Sequence, residues 1–277
     1  MSDLSDRLRI NTALARQILV AFIRDEIGRT GLARAVLGLS GGIDSALACY
    51  LAAEALGPQN VLALRLPYKT SSEDSLSDAG GVIDALGVQS ETVAITDMVD
   101  PLLATIPPSE TKRRGNVMAR ARMIVWYDRS AAFNGLVVGT SNKTEILLGY
   151  TTLWGDSASA LNPLGDLYKT QVRQLARAVG VPQPIVDKAP SADLWAGQTD
   201  EGELGFTYER VDQLLYLLVD QRYRREELIA AGFEAPFVDR VLATVRRNQF
   251  KRMPPLIAKL GNRTVGYDFL YLRDWGT

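Results

Sequence analysis

The first half of the chain alternates two kinds of apolar pattern. Short continuous runs at 35–39, 61–66 and 136–138 end at glycine or a turn and read as buried strands, with a further strand at 91–95. Between them lie longer segments with helical spacing: 14–27, 45–56, 71–86 and 116–133. In 14–27 the positions Leu14, Ile18, Phe22 and Ile23 predict the apolar face. This β-α-β-α order predicts a doubly wound α/β fold, a parallel sheet flanked by helices on both faces. Beyond residue 140 the pattern changes. Residues 149–167 are irregular, 169–179 read as a helix stopped by Gly180-Val181-Pro182, and 193–205 hold glycines and acids expected of a mobile lid. Residues 208–219, 224–231 and 236–248 predict a helical C-terminal part. No linker or repeat interrupts the pattern, so a single domain over 1–277 is expected.

Charge and composition narrow the chemistry. The chain has 277 residues, a net charge of −1, one cysteine and no histidine. No basic surplus favours nucleic acid, although Arg246, Arg247, Lys251 and Arg252 offer a local anion patch. No apolar run reaches membrane-spanning length, and the lone Cys49 suits a reducing compartment, so the cytoplasm is expected. Without histidine there is no Ser-His-Asp triad, Cys-His pair or His-ligated zinc site; any metal must take oxygen ligands, which points to Mg2+.

The strongest local signal is Gly38-Leu39-Ser40-Gly41-Gly42-Ile43-Asp44-Ser45, which follows a strand and opens a helix. Unpaired N–H groups and the helix dipole favour anions there, and glycines let the backbone approach phosphate. Ser40 and Ser45 add hydroxyls. Asp44 would repel phosphate unless a cation bridged them. Taken singly, Glu145 reads as a helix-start acid, Lys169 and Arg120 as solvated charges, and Asp156 as a turn residue.

The loop resembles the PP-loop of the N-type ATP pyrophosphatases, which cleave ATP between the α and β phosphates; it lacks the Gly-Lys-Ser/Thr ending of a Walker A loop. The ordered set of Arg65-Leu66-Pro67-Tyr68, Gly139-Thr140-Ser141-Asn142-Lys143-Thr144-Glu145, Gly149 to Asp156, Asn162-Pro163, Lys169, Lys188 to Leu194, Gly197 to Glu201 and Phe250-Lys251-Arg252 resembles the NAD synthetases of the ammonia-dependent type.

That resemblance implies an adenine nucleotide α-hydrolase-like fold, ATP as co-substrate, Mg2+ as cofactor and a homodimer. Deamido-NAD would be adenylated by ATP with release of pyrophosphate, and ammonia would then displace AMP to give NAD. Carried over residue by residue, residues 38–45 with Arg65, Thr140, Lys169 and Ser191 bind ATP, and Asp44 with Glu145 binds the metal. Arg120, Leu153, Phe250 and Lys251 fall at dinucleotide positions, and Asp44, Asp156 and Lys169 are catalytic, Asp156 beside ammonia. Leu153, Ala160 and Phe250 depart from the family's common lysine, aspartate and histidine. Another PP-loop enzyme and a non-catalytic adenine-nucleotide sensor are the competing readings.

Overall fold

The computed structural model describes residues 4–191 and 199–269. Its elements in chain order are α1 (Leu4–Arg7), α2 (Thr12–Arg29), β1 (Ala35–Gly38), α3 (Ile43–Leu56), β2 (Val61–Arg65), α4 (Glu73–Leu86), β3 (Gln89–Thr92), α5 (Thr96–Leu103), α6 (Thr111–Phe133) and β4 (Leu136–Val137). There follow α7 (Lys143–Leu148), α8 (Lys169–Val179), α9 (Gln183–Asp187), α10 (Asp200–Leu204), α11 (Tyr208–Leu215), α12 (Arg225–Ala230) and α13 (Ala235–Arg247).

The sheet runs β3-β2-β1-β4 with every pairing parallel; Ala35 of β1 sits between Val61 and Leu136. Alternation along the central strands feeds two cores. Ala35, Leu37, Val61 and Ala63 face α2, α3, α4 and α8, while Val36, Leu62 and Leu64 face α5 and α6. Burial on both faces explains why β1 and β2 are continuous apolar runs. A third core is all helical: Val211, Leu214, Leu228, Phe233, Val238 and Val241 pack from α11 to α13 under Leu148 and Tyr168.

Several expectations shift. The stripe that α2 buries is Val20, Ile23 and Ile27, while Leu14 and Ile18 are exposed. β3 starts at Gln89 and ends at Thr92, because it is a polar edge strand paired on one side only. α5 carries Pro101 inside it, and that proline hid it from a pattern reading. The helix starting at Tyr208 gives way after Leu215 to a π-helical turn, Tyr216–Asp220. This turn aims Asp220 at Lys143 Nζ, 2.8 Å, and at the Tyr168 hydroxyl, 2.6 Å. Part of the expected lid is helix α10, capped by Thr199; residues 192–198 lie outside the described residues.

Candidate active site

The carboxyl end of the sheet opens into a cleft of about 670 Å³. β1 enters it, turns through 39–42, and leaves as α3, whose N-terminus points into the space. Two glycines are there for lack of room. A Cβ on Gly38 would lie 2.7 Å from the Trp126 ring, and one on Gly41, at φ +80°, would lie 2.2 Å from the Ser75 carbonyl oxygen. Gly42 has ordinary backbone angles, and a Cβ there would meet only Ser40 Oγ, at 3.4 Å. The loop is braced by its own serines: Ser40 N–H donates to Ser45 Oγ, 3.2 Å, and Ser45 Oγ donates to the Gly42 carbonyl, 3.0 Å. The first N–H groups of α3 have no partner within the helix, so the loop presents an anion site.

Opposite stand the N-termini of α7 and α8. Asn142 caps α7 by accepting from Glu145 N–H, 3.0 Å, and its own N–H donates back to Glu145 Oε2, 3.3 Å, completing a capping box. The Asn142 amide also donates to Asp44 Oδ1, 2.9 Å, tying α7 to α3. Lys169, first residue of α8 and buried, donates to Asp44 Oδ2 at 2.5 Å and to Glu145 Oε1 at 3.2 Å. Its ammonium also lies 5.1 Å from the centre of the Tyr208 ring. Burial pulls the Lys169 ammonium down, but Asp44 and Glu145 outweigh it and hold the group above the usual lysine range. Burial pushes Glu145 up, and Lys169 pulls it back.

Asp200 completes the floor. It is buried and accepts from the Tyr208 hydroxyl at 3.0 Å, and the Tyr150 hydroxyl lies beside it; Asp200 and Tyr150 both line the cleft. Asp156 accepts from Thr152 N–H, 2.7 Å, and burial raises its affinity for a proton. Beside it Lys251 donates to the Gly149 and Thr151 carbonyls, 2.7 and 2.6 Å, and burial lowers its pKa.

Residues 38–45, Thr140, Glu145, Asp156, Lys169, Ser191 and Lys251 therefore share one cleft. Four expected residues are not in its lining. Arg65 ends β2 with its Nε buried and without a hydrogen-bond partner among the described residues. Arg120 is exposed and donates to the Leu153 carbonyl, 3.3 Å; Leu153 is half-buried and Phe250 is 58% exposed. Nor is Arg252 part of a free anion patch, because its guanidinium donates to the Ile146, Leu147 and Val245 carbonyls at the end of α7 and of α13.

Sequence reasoning gave no role to Asn142, Asn116, Arg122, Lys188 or Tyr208. The Asn142–Glu145 spacing was a visible capping-box signal. Lys188 donates to Asp78, 2.7 Å, and Asn116 accepts from the Thr152 hydroxyl, 2.8 Å; both join segments remote in sequence and left no local trace.

The model of the NAD synthase family matches residues 15–255. A protein of Trichlorobacter lovleyi named NH(3)-dependent NAD(+) synthetase is 60% identical over 270 residues, covering 98% of this chain and 99% of its own length. Among solved structures, the NH3-dependent NAD synthetase from Campylobacter jejuni, in complex with the nitrate ion, gives a TM-score of 0.77 at 31% identity, over 90% of this chain and 100% of that one. The NMN synthetase from Francisella tularensis gives 0.80 at 34%, over 90% and 99%.

Proposed function

The chain belongs to the NAD synthase family, and from that premise we propose how its cleft makes NAD from deamido-NAD, ATP and ammonia. The nicotinate carboxylate attacks the α-phosphorus of ATP and pyrophosphate leaves. Ammonia then attacks the acyl-adenylate carbonyl, and AMP leaves with the bonding electrons.

The observation that carries this reading is the convergence of Asp44, Glu145 and Lys169 opposite the N-terminus of α3. A carboxylate and a triphosphate must meet at one phosphorus, and cations must offset that charge. The α3 N–H groups and the serine hydroxyls take the pyrophosphate, with Thr140 and Ser191 lining the same cleft. Lys169 neutralises charge developing on the phosphate oxygens. Asp44 and Glu145, which both reach the Lys169 ammonium, are hard-oxygen groups of the kind magnesium takes. Asp44 and Glu145 would hold that ion. When bound it supplies charge neutralisation on the triphosphate. Asp156, whose burial strengthens its hold on a proton, takes one proton from ammonium and so delivers ammonia to the carbonyl.

Arg120, Leu153 and Phe250 lie outside the cleft of one chain, which supports a homodimer whose second copy completes the dinucleotide end, with Lys251 on the near wall. The compartment we propose is the cytoplasm, in keeping with a single cysteine.

The test supplies ATP, magnesium, ammonium and either deamido-NAD or nicotinate mononucleotide. The expected result is NAD with AMP and pyrophosphate, at a kcat/KM far above that for the mononucleotide. ADP as the main nucleotide product would overturn the reaction. Faster amidation of the mononucleotide would reassign the substrate, and the resemblance to the Francisella enzyme makes that comparison necessary.

A further inference from the structure

Lys169 begins α8, yet the residue before it is Tyr168, which has no short side-chain acceptor with which to cap the helix. The N–H groups of the first turn need partners all the same; Lys169 is buried and Thr170 half-buried. Two other helices supply them. Lys169 N–H donates to the Thr144 hydroxyl of α7, 3.0 Å, and Thr170 N–H donates to Asp212 Oδ2 of α11, 2.8 Å. The Thr144 hydroxyl in turn donates to Asp212 Oδ1, 2.6 Å. Asp212 is therefore a cap delivered from another helix, and Thr144 relays it.

The placement of this relay is what makes it informative. Thr144 precedes Glu145 and Asp212 bonds the residue after Lys169, so one carboxylate fixes the backbone beneath both partners of the cleft's central ion pair. Neither Asp212 nor Thr144 lines the cleft. Asp212 has no exposed surface, and burial pushes it up to about 6 against the pull of its donors. A buried carboxylate among Val211, Leu214 and Leu215 is costly relative to an apolar residue. Its geometry is informative: both oxygens are used, one by Thr144 beside Glu145 and one by Thr170 beside Lys169.

We infer that Asp212, acting through Thr144, is a positioning residue that sets the spacing of Lys169 and Glu145 for adenylyl transfer. The inference rests on the function proposed above. Removing the relay hydroxyl frees Lys169 N–H and leaves Asp212 short of a donor, so the starts of α7 and α8 move relative to each other.

Two substitutions at Thr144 separate positioning from packing. Thr144→Val keeps the shape and loses the hydroxyl; Thr144→Ser keeps the hydroxyl. A misplacement near 1 Å costs on the order of 100-fold in rate, so Thr144→Val and Asp212→Asn are expected to lower kcat by about 10- to 100-fold with KM for ATP changed less than about threefold. ATP–pyrophosphate exchange, which reads adenylation alone, should fall by the same factor, and Thr144→Ser should recover most of both. Rates are taken well below each variant's melting temperature, where a purely structural role would leave kcat unmoved. Wild-type kcat and exchange in Thr144→Val would overturn the inference. So would a crystal structure of that variant with Lys169 Nζ still bonded to both Asp44 and Glu145, whatever the reaction proves to be. A wild-type enzyme that makes no NAD, paired with a displaced Lys169 in Thr144→Val, would instead refute the proposed function and leave the positioning role standing.

Discussion

One ammonium between two carboxylates is a charge arrangement that fails when any member is removed. Taking away Asp44 leaves the Asn142 amide without its acceptor and Lys169 with Glu145 alone. Taking away Glu145 opens the capping box at the start of α7. Breaking a buried pair in this way costs about 3 kcal/mol or more. Asp44→Ala and Glu145→Ala are each expected to lower kcat by about 100-fold or more while retaining the native circular dichroism spectrum. Near-normal turnover in both would remove the pair from the mechanism. Cys49 gives a prediction of the opposite sign. Its side chain is fully buried and its thiol is pushed up to about 12 by burial, so the reactive thiolate is suppressed. Glutamine as sole nitrogen source should give no NAD, and Cys49→Ala should leave ammonia-dependent turnover within about twofold, since it leaves only a small cavity in the core. Glutamine-driven NAD synthesis that vanished in Cys49→Ala would show this thiol to be the nucleophile. At this scale the sequence made the named ions of the cleft legible, because their residue types stand at motif offsets. It hid Tyr208, Asp200 and Asp212, whose partners come from other helices and whose roles exist only once those helices pack.

Among the elements, the strand–loop–helix around residues 38–45 was the most legible, and its adjacent glycines serve different ends. Gly41 sits at φ +80° against the carbonyl of Ser75 in α4, so its freedom is needed by the fold. Gly42 is the N-cap of α3 in an ordinary extended conformation and lines the cleft, where a Cβ would meet only Ser40 Oγ at 3.4 Å, so the fold tolerates a side chain that the phosphate path does not. Gly41→Ala is expected to destabilise the protein by about 3 kcal/mol, from left-handed strain plus displacement of α4. Gly42→Ala should cost about 1 kcal/mol or less in stability and raise KM for ATP about tenfold, because a methyl group occupies the path of the phosphate. Paired thermal melts and ATP titrations decide it; equal stability losses in the two variants would contradict this division. The elements that escaped the sequence each had a physical mask. Pro101 hid α5, polarity hid the start of β3, and α7 is too short to show periodicity and is defined by its caps. On α2 the periodicity was real, but the buried stripe was Val20-Ile23-Ile27, since Leu14 and Ile18 face outward.

For the whole molecule, the proposed homodimer requires a surface that a second copy can cover. The two longest helices lie over opposite faces of the sheet, α2 over the core that contains Leu37 and α6 over the core that contains Val36. An isologous contact uses one patch twice, so the two are competing candidates. The exposed side of α6 presents Arg120, Ile124 and Tyr127, spaced as one helical stripe; Ile124 is 56% exposed and Tyr127 42%. Arg120 also bonds the Leu153 carbonyl, so the stripe continues into the loop that holds Asp156. A two-fold contact through α6 would cover these apolar side chains and set the partner against the dinucleotide end of the cleft, where one chain leaves Arg120, Leu153 and Phe250 outside the lining. Nothing comparable joins Leu14 and Ile18 of α2 to the site. The expected species in light scattering is therefore twice the 30.3 kDa chain. Ile124→Asp buries a charge in each half of the contact, a loss of several kcal/mol counted over both copies, and should yield a folded monomer. In that monomer kcat/KM for deamido-NAD should fall at least about tenfold, while ATP affinity, set within one chain, should change less than about threefold. Leu14→Asp is the control and should remain dimeric. A wild-type monomer with full activity, or an Ile124→Asp dimer with unchanged kcat/KM, would reject the α6 interface; a monomer produced by Leu14→Asp would move it to α2.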